Sequence, residues 1–251
     1  MSNSVKSRSR RRFCLAFLSV GFIACVTLPT TALGQEHEIN SPFRWREKGF
    51  RVGLFGGQHS ANRGSLEFGQ GPAPAAGAKM RARVSSPLSL EIGAIFAPAE
   101  RWVLNPIAES GPAIVDTVSA NWLRADFGAQ IGLPGARTWN GIHPYALIGG
   151  GLVFGIMEGA SPAMAPQEME TFRYDISTAP HIYVGFGFEV FPSEKIGIGF
   201  EVRDYLIRLS APDGFLSPQA LQAFEGTGGP APDSSTYQHN PEFGITIWYY
   251  F

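Results

Sequence analysis

The chain has 251 residues, 44% hydrophobic and 16% charged, with a formal net charge of −1, so nothing in its charge points to a nucleic-acid partner. Its two cysteines, Cys14 and Cys25, both lie near the N-terminus in a segment that reads as removable, which leaves no disulfide, thiol chemistry or cysteine metal site in the rest. Beyond that segment no run approaches the roughly 20 apolar residues of a spanning helix, so any later membrane crossing falls to strands.

Lys6, Arg8, Arg10, Arg11 and Arg12 precede an apolar run from Phe13 to Leu28, and Ala32 and Gly34 supply small residues at the positions a signal peptidase inspects. The sequence therefore predicts a secretory signal over 1–34, an N-terminal stub over 35–48 and one domain over 49–251. Arg10-Arg-Arg-Phe13 superficially matches a twin-arginine signal, but that route moves folded proteins. Phe22-Ile-Ala-Cys25 is a poor lipobox, because Phe replaces the usual Leu or Val. Cleavage removes five of the 20 basic residues and none of the 21 acidic ones, for a mature net charge of −6.

From Phe50 onward, eight short alternating runs predict an up-and-down antiparallel sheet. The first covers about 49–58, with Phe50, Val52 and Leu54 on one face, and a polar loop containing Gly71-Pro-Ala-Pro-Ala-Ala-Gly77 follows. The second covers about 78–85 and turns at Ser85-Ser-Pro87 into the third, about 88–97. A second long loop leads to the fourth, about 119–132, where Leu123, Ala125, Phe127, Ala129 and Ile131 alternate with Trp122, Arg124, Asp126, Gly128 and Gln130. The fifth, about 143–155, is apolar or glycine on both faces, so its facing is undetermined. After a loop over 156–177 the sixth presents Ile182, Val184, Phe186, Phe188 and Val190. Pro192-Ser-Glu-Lys195 turns into the seventh, with Ile196, Ile198, Phe200 and Val202 on its apolar face. The longest loop, 208–238, holds Ser217 to Phe224, which can form one or two helical turns. The eighth strand ends the chain with Phe243, Ile245, Ile247, Tyr249 and Phe251 on one unbroken apolar face.

Long connections follow strands one, three, five and seven, and shorter ones follow two, four and six. This is the pattern of external loops and periplasmic turns, with both termini on the periplasmic side. The polarity of the alternation decides between barrel types. Arg51, Arg81, Arg83, Glu91, Arg124, Asp126, Glu189, Glu201 and Arg203 all share the face opposite the aliphatic one, so charge points inward and hydrocarbon outward, the reverse of a soluble ligand-carrying barrel. Eight strands enclose just enough space for side chains to fill, which predicts a plugged lumen held by ion pairs. Pairing Val84 with Leu88 sets Arg81 opposite Glu91. Pairing Val190 with Ile196 sets Gly187 opposite Gly199, leaving room for long Arg and Glu chains. Strand eight is expected to close on strand one near Phe50 to Leu54, with Thr246, Trp248 and Tyr250 facing the lumen.

The signal peptide, Pro144-Tyr145 opening a Gly-rich strand, Gly185-Phe-Gly-Phe-Glu-Val190, Gly199-Phe-Glu-Val-Arg-Asp-Tyr205 and the aromatic terminus resemble the outer-membrane β-barrel domain family of OmpA/OmpX-type proteins over 49–251. The resemblance implies an all-β, eight-stranded transmembrane barrel in the cell outer membrane of a Gram-negative-type envelope. The terminal strand also resembles the signal read by the barrel-assembly machinery. Nothing follows the barrel here, so the peptidoglycan tether of the OmpA kind is not carried over.

Some such barrels modify lipid A, which makes hydrolase constellations worth testing. His59-Ser60 is the one adjacent His and Ser, placed by the strand reading in the first external loop without the surroundings of a lipid A deacylase. His37, His143, His181 and His239 are scattered, and inward acids beside equally numerous arginines read as structural pairs. Gly149-Gly-Gly151 lacks the Lys-Ser/Thr of a phosphate loop. The reading is a monomeric, non-enzymatic barrel without cofactor or metal, whose partners are outer-membrane lipid, lipopolysaccharide and the assembly machinery. It serves envelope structure or surface interaction through four external loops. A narrow channel and a lipid A-modifying enzyme are its rivals.

Overall fold

The computed structural model describes residues 43–45, 49–63, 69–105, 113–135, 137–158, 178–211, 213–226 and 235–251. The predicted signal at 1–34 and the start of the stub lie outside the described residues. Among the described residues eleven strands are formed: β1 (Phe43–Trp45), β2 (Phe50–His59), β3 (Ala73–Arg83), β4 (Leu88–Ala97), β5 (Glu100–Asn105), β6 (Ala113–Gly132), β7 (Arg137–Trp139), β8 (Ile142–Glu158), β9 (Ala179–Val190), β10 (Ile196–Ser210) and β11 (Ser235–Tyr250). Eight of them, β2, β3, β4, β6, β8, β9, β10 and β11, pair antiparallel with their neighbours in chain order, and β11 returns to β2, so the sheet closes. Closure leaves no edge in the wall. Among the described residues no helix is long and apolar enough to cross a membrane.

The alternation decides which way each strand faces. Leu54, Phe127, Phe186 and Ile247 on the outer face are 72%, 58%, 67% and 59% exposed, while Arg81, Arg124, Glu189 and Trp248 on the inner face are fully buried. The fifth predicted strand resolves in the same way: on β8, His143, Tyr145, Leu147 and Val153 are buried inside, and Ile148 and Leu152 are exposed outside. On β11 the apolar face runs from Phe243 to Phe251. At about 3.4 Å per residue and a tilt of about 40° it rises roughly 21 Å, close to the roughly 25 Å apolar band of outer-membrane barrels.

Several boundaries differ from expectation for identifiable reasons. Strand two begins at Ala73, not 78, so Pro74 to Gly77 belong to the wall. Pro74 sits one residue from the strand's start, where a missing N–H disturbs little. Part of the second long loop is also strand: β5 continues β4 past Pro98 and Ala99, pairing with residues 113–119 of a twenty-residue β6. The connection after β6 contains β7, joined to β8 through Asn140 and Gly141, both at positive φ. That pair is the two-residue hairpin turn matching strand twist. β1, in the predicted stub, pairs with β7. In the fourth loop a short 3₁₀ turn over Asp213–Leu216 leads into α1 (Pro218–Gly226), capped by the Ser217 hydroxyl, which accepts from Ala220 N–H at 3.3 Å.

One pairing is off by two residues. Arg81 stands opposite Glu91 as expected, but Val190 pairs with Ile198 and not Ile196, which sets Gly187 against Glu201 and Gly199 against Glu189. The turn is wider than it reads, because Ser193 Oγ accepts from Ile196 N–H at 3.1 Å and Gly197 pairs with β11 alone. A shift of two preserves every facing.

Candidate functional site: the charged lumen

Inside the barrel, five cations (Arg51, Lys79, Arg81, Arg124 and Arg203) meet five acids (Glu91, Asp126, Glu189, Glu201 and Glu242), all buried. They fall into three tiers along the axis. At the short-turn end Arg51 donates to Gln130 Oε1 at 2.7 Å and lies 3.5 Å from Glu189, which also accepts from Tyr250. In the middle, Arg203 donates to Glu91 at 2.6 Å and to Glu201 at 3.0 Å. Arg81 bonds Glu91 and, at 3.1 Å, Glu201, and Lys79 bonds Glu201. Towards the long-loop end Arg124 grips Glu242 through two bonds of 2.9 and 3.1 Å and Asp126 at 3.1 Å. His181 Nε2 lies 3.0 Å from Asp126, and His59 Nδ1 lies 3.5 Å from Glu242.

Aromatic rings complete each tier. Arg124 stacks 3.7 Å above the Tyr205 ring, Arg81 lies 4.4 Å from Trp248, Lys79 lies 3.8 Å from Phe55, and Arg203 lies 5.0 Å from Tyr183. Rings offer a cation attraction without adding a charge, which suits a dry interior where every ion needs compensation. Gly187 and Gly199 make room for rings, since a Cβ on Gly187 would sit 2.9 Å from Tyr145 Cζ and one on Gly199 3.0 Å from Trp248 Nε1, whereas Gly185 makes room for the Arg203 chain, with a Cβ there 3.1 Å from Arg203 Cγ.

Of the residues singled out from sequence, eight enter these tiers and Arg83 does not share their depth. It is half-buried at the short-turn rim, lining a cavity of about 20 Å³ with Arg51, Ser89, Gln130 and His143. His59 is not a loop residue. It ends β2 with its ring buried against Trp122, the ring centroids 4.9 Å apart. Sequence reasoning passed over Lys79 and Glu242. Both carried the available signal, the inward parity of Arg81 and Thr246 on their own strands. On the outer face His239 and Asp204 pair at 2.6 Å, and on the inner face at the short-turn end His143 meets the Gly135 carbonyl at 3.0 Å. Among the described residues no group of three or more His, Cys, Asp or Glu is arranged to hold a metal ion.

The tiers link strands that are not neighbours. Arg81 to Glu201 crosses from β3 to β10, and Arg124 to Glu242 from β6 to β11. Chemically the arrangement is a neutralised polar core.

The sequence matches no protein-family model and no curated protein. Among solved structures it is similar to Neisserial surface protein A, with 8% identity and a TM-score of 0.46 over 84% of this chain and 98% of that one. It is similar also to the outer membrane protein OprG from Pseudomonas aeruginosa, with 10% identity and a TM-score of 0.47 over 82% and 98%. A third is Ail, the attachment invasion locus protein of Yersinia pestis, solved with the heparin analogue sucrose octasulfate, at 10% identity and a TM-score of 0.35 over 82% and 100%. By its own closure, up-and-down order, apolar exterior and charged interior, the chain is an eight-stranded β-barrel of the outer-membrane type.

Proposed function

We propose that this protein is an integral outer-membrane barrel whose lumen is a structural core and which works, without catalysis, through its external loops and outer surface. The carrying observation is the set of ion pairs that cross the lumen at the middle and upper tiers, because a path for solute would have to break them. The apolar belt supports the membrane location, since a water-soluble domain with such an exterior aggregates. The short-turn end is read as periplasmic and the long-loop end as external. A charged interior also favours a narrow channel as second reading. Purified protein in planar bilayers separates the two: flat traces are expected, and discrete steps of uniform size would replace this reading with the channel. Deletion and overexpression are expected to leave lipid A unchanged, and an altered acylation or phosphorylation pattern would overturn the non-catalytic part.

A further inference from the structure

The cavity of about 20 Å³ at the short-turn mouth of the lumen has Arg51, Ser86, Pro87, Ser89, Gln130 and Gly132 on its lining. The strand pairing explains the space. Ser89 stands opposite Arg83 on one side and Gln130 on the other, so one short inward side chain separates two long ones, and Gly132 adds none. The volume is room for a single water, which needs at least about 10–15 Å³.

Two buried donors on this lining, Arg51 Nε–H and Gln130 Nε2–H, have no acceptor among the described residues. The amide's orientation is settled by its neighbour: Arg51 Nη2 donates to Gln130 Oε1 at 2.7 Å, and a guanidinium can only donate, so the amide nitrogen is the atom left over. Buried donors in folded proteins find an acceptor. Whatever meets these two must therefore accept, which excludes a metal cation. An anion is disfavoured as well, because Arg51 already lies 3.5 Å from Glu189 and a further buried negative charge would go uncompensated. Arg83, also on the lining, has a contact of its own. Water accepts two hydrogen bonds and brings two protons. For these the lining offers the Ser89 hydroxyl and the Pro87 carbonyl, which takes the Gly132 N–H at 2.7 Å and keeps a second lone pair.

We propose that this cavity is the site of one structural water, which accepts from Arg51 and Gln130 and donates to Ser89 and Pro87. It pins β2 and β6 to the β3–β4 turn across the mouth of the barrel. The bond from Gly132 N–H to the Pro87 carbonyl joins β6 to the same turn, so its opening reports on the pin.

The test is a crystal structure of the folded, detergent-purified protein grown with bromide as the added halide, at a resolution that shows ordered water. One peak about 2.7–3.2 Å from both nitrogens, without an anomalous bromide signal, is expected. An anomalous peak there overturns the water in favour of a halide site, and the absence of density between the two nitrogens overturns the site altogether. Hydrogen exchange at the Gly132 amide reads the pin in solution. Ser89→Ala, first checked for folding by gel mobility with and without boiling, removes one acceptor for the water and leaves the Arg51–Gln130 bond in place. Exchange at Gly132 is expected to quicken about three- to tenfold, the size of one net hydrogen bond, with the β10–β11 amides unchanged. An unchanged rate at Gly132, or an equal rise throughout the barrel, overturns the pin.

Discussion

Glu201 is the hub of the middle tier, and the consequences of Glu201→Gln can be worked from its partners. It binds Lys79, Arg81 and Arg203, but the two arginines also hold Glu91. Among the described residues Glu201 is the acid that Lys79 pairs with, and Lys79 is buried. The substitution therefore strands one full charge, a loss of about 3–5 kcal/mol. Lys79→Met alone removes the cation and leaves Glu201 with both arginines, at a loss of about 1–2 kcal/mol. The double variant leaves each arginine its Glu91 bond, so it should recover about 2 kcal/mol relative to Glu201→Gln, the coupling expected of residues in one network. Urea unfolding in lipid vesicles, followed by tryptophan fluorescence and by gel mobility, measures all three. A Glu201→Gln loss below about 1 kcal/mol, the value of an exposed pair, would refute a dry, tightly compensated lumen. So would a double variant no more stable than the single.

Leu54 and Leu133 are almost equally exposed, at 72% and 71%, but one lies in the belt and the other in a turn. Leu54→Arg should cost about 2–4 kcal/mol of stability in vesicles and Leu133→Arg less than about 0.5 kcal/mol; equal costs would mean the belt does not contact hydrocarbon. Closure predicts that Leu54→Cys with Ile247→Cys, direct partners across β2 and β11, forms a disulfide on oxidation. Leu54→Cys with Ile245→Cys, one pair out of register, should not, and crosslinking of both to the same extent would count against the register. Gly187→Ala, driven against Tyr145, should cost about 1–3 kcal/mol as overpacking in the same urea assay, and a neutral result would mean the ring is not held there.

What was legible in the sequence follows from how local the determining physics is. The facing of Arg124 against Phe127 needs only alternate positions on one strand, and Arg81 opposite Glu91 needs only a turn too short to vary. The β9–β10 register was missed because the width of its turn depends on a hydrogen bond between Ser193 Oγ and the Ile196 N–H, which no spacing reveals. Residues 73–77 read as loop from their prolines and alanines, and they are wall because the neighbouring strands β2 and β4 supply partners. The rings beneath Arg81, Arg124 and Lys79 were not foreseen as their partners, since each comes from another strand. Tyr205 and Trp248 reach their cations only once the sheet has closed.

β10 and β11 stay paired beyond Asp204 and Pro241 as far as Ser210 and Ser235. Six further residue pairs at about 3.4 Å each, tilted about 40°, carry the hairpin roughly 15 Å past the point where the outer face turns polar. α1 lies in the connection between the two ends of this hairpin. A partner that docks on the outer face of these six pairs would meet backbone already ordered by the wall, with little chain entropy left to lose on binding. The same pairing fixes the direction in which that face points, so a partner has to approach along the angle the hairpin sets.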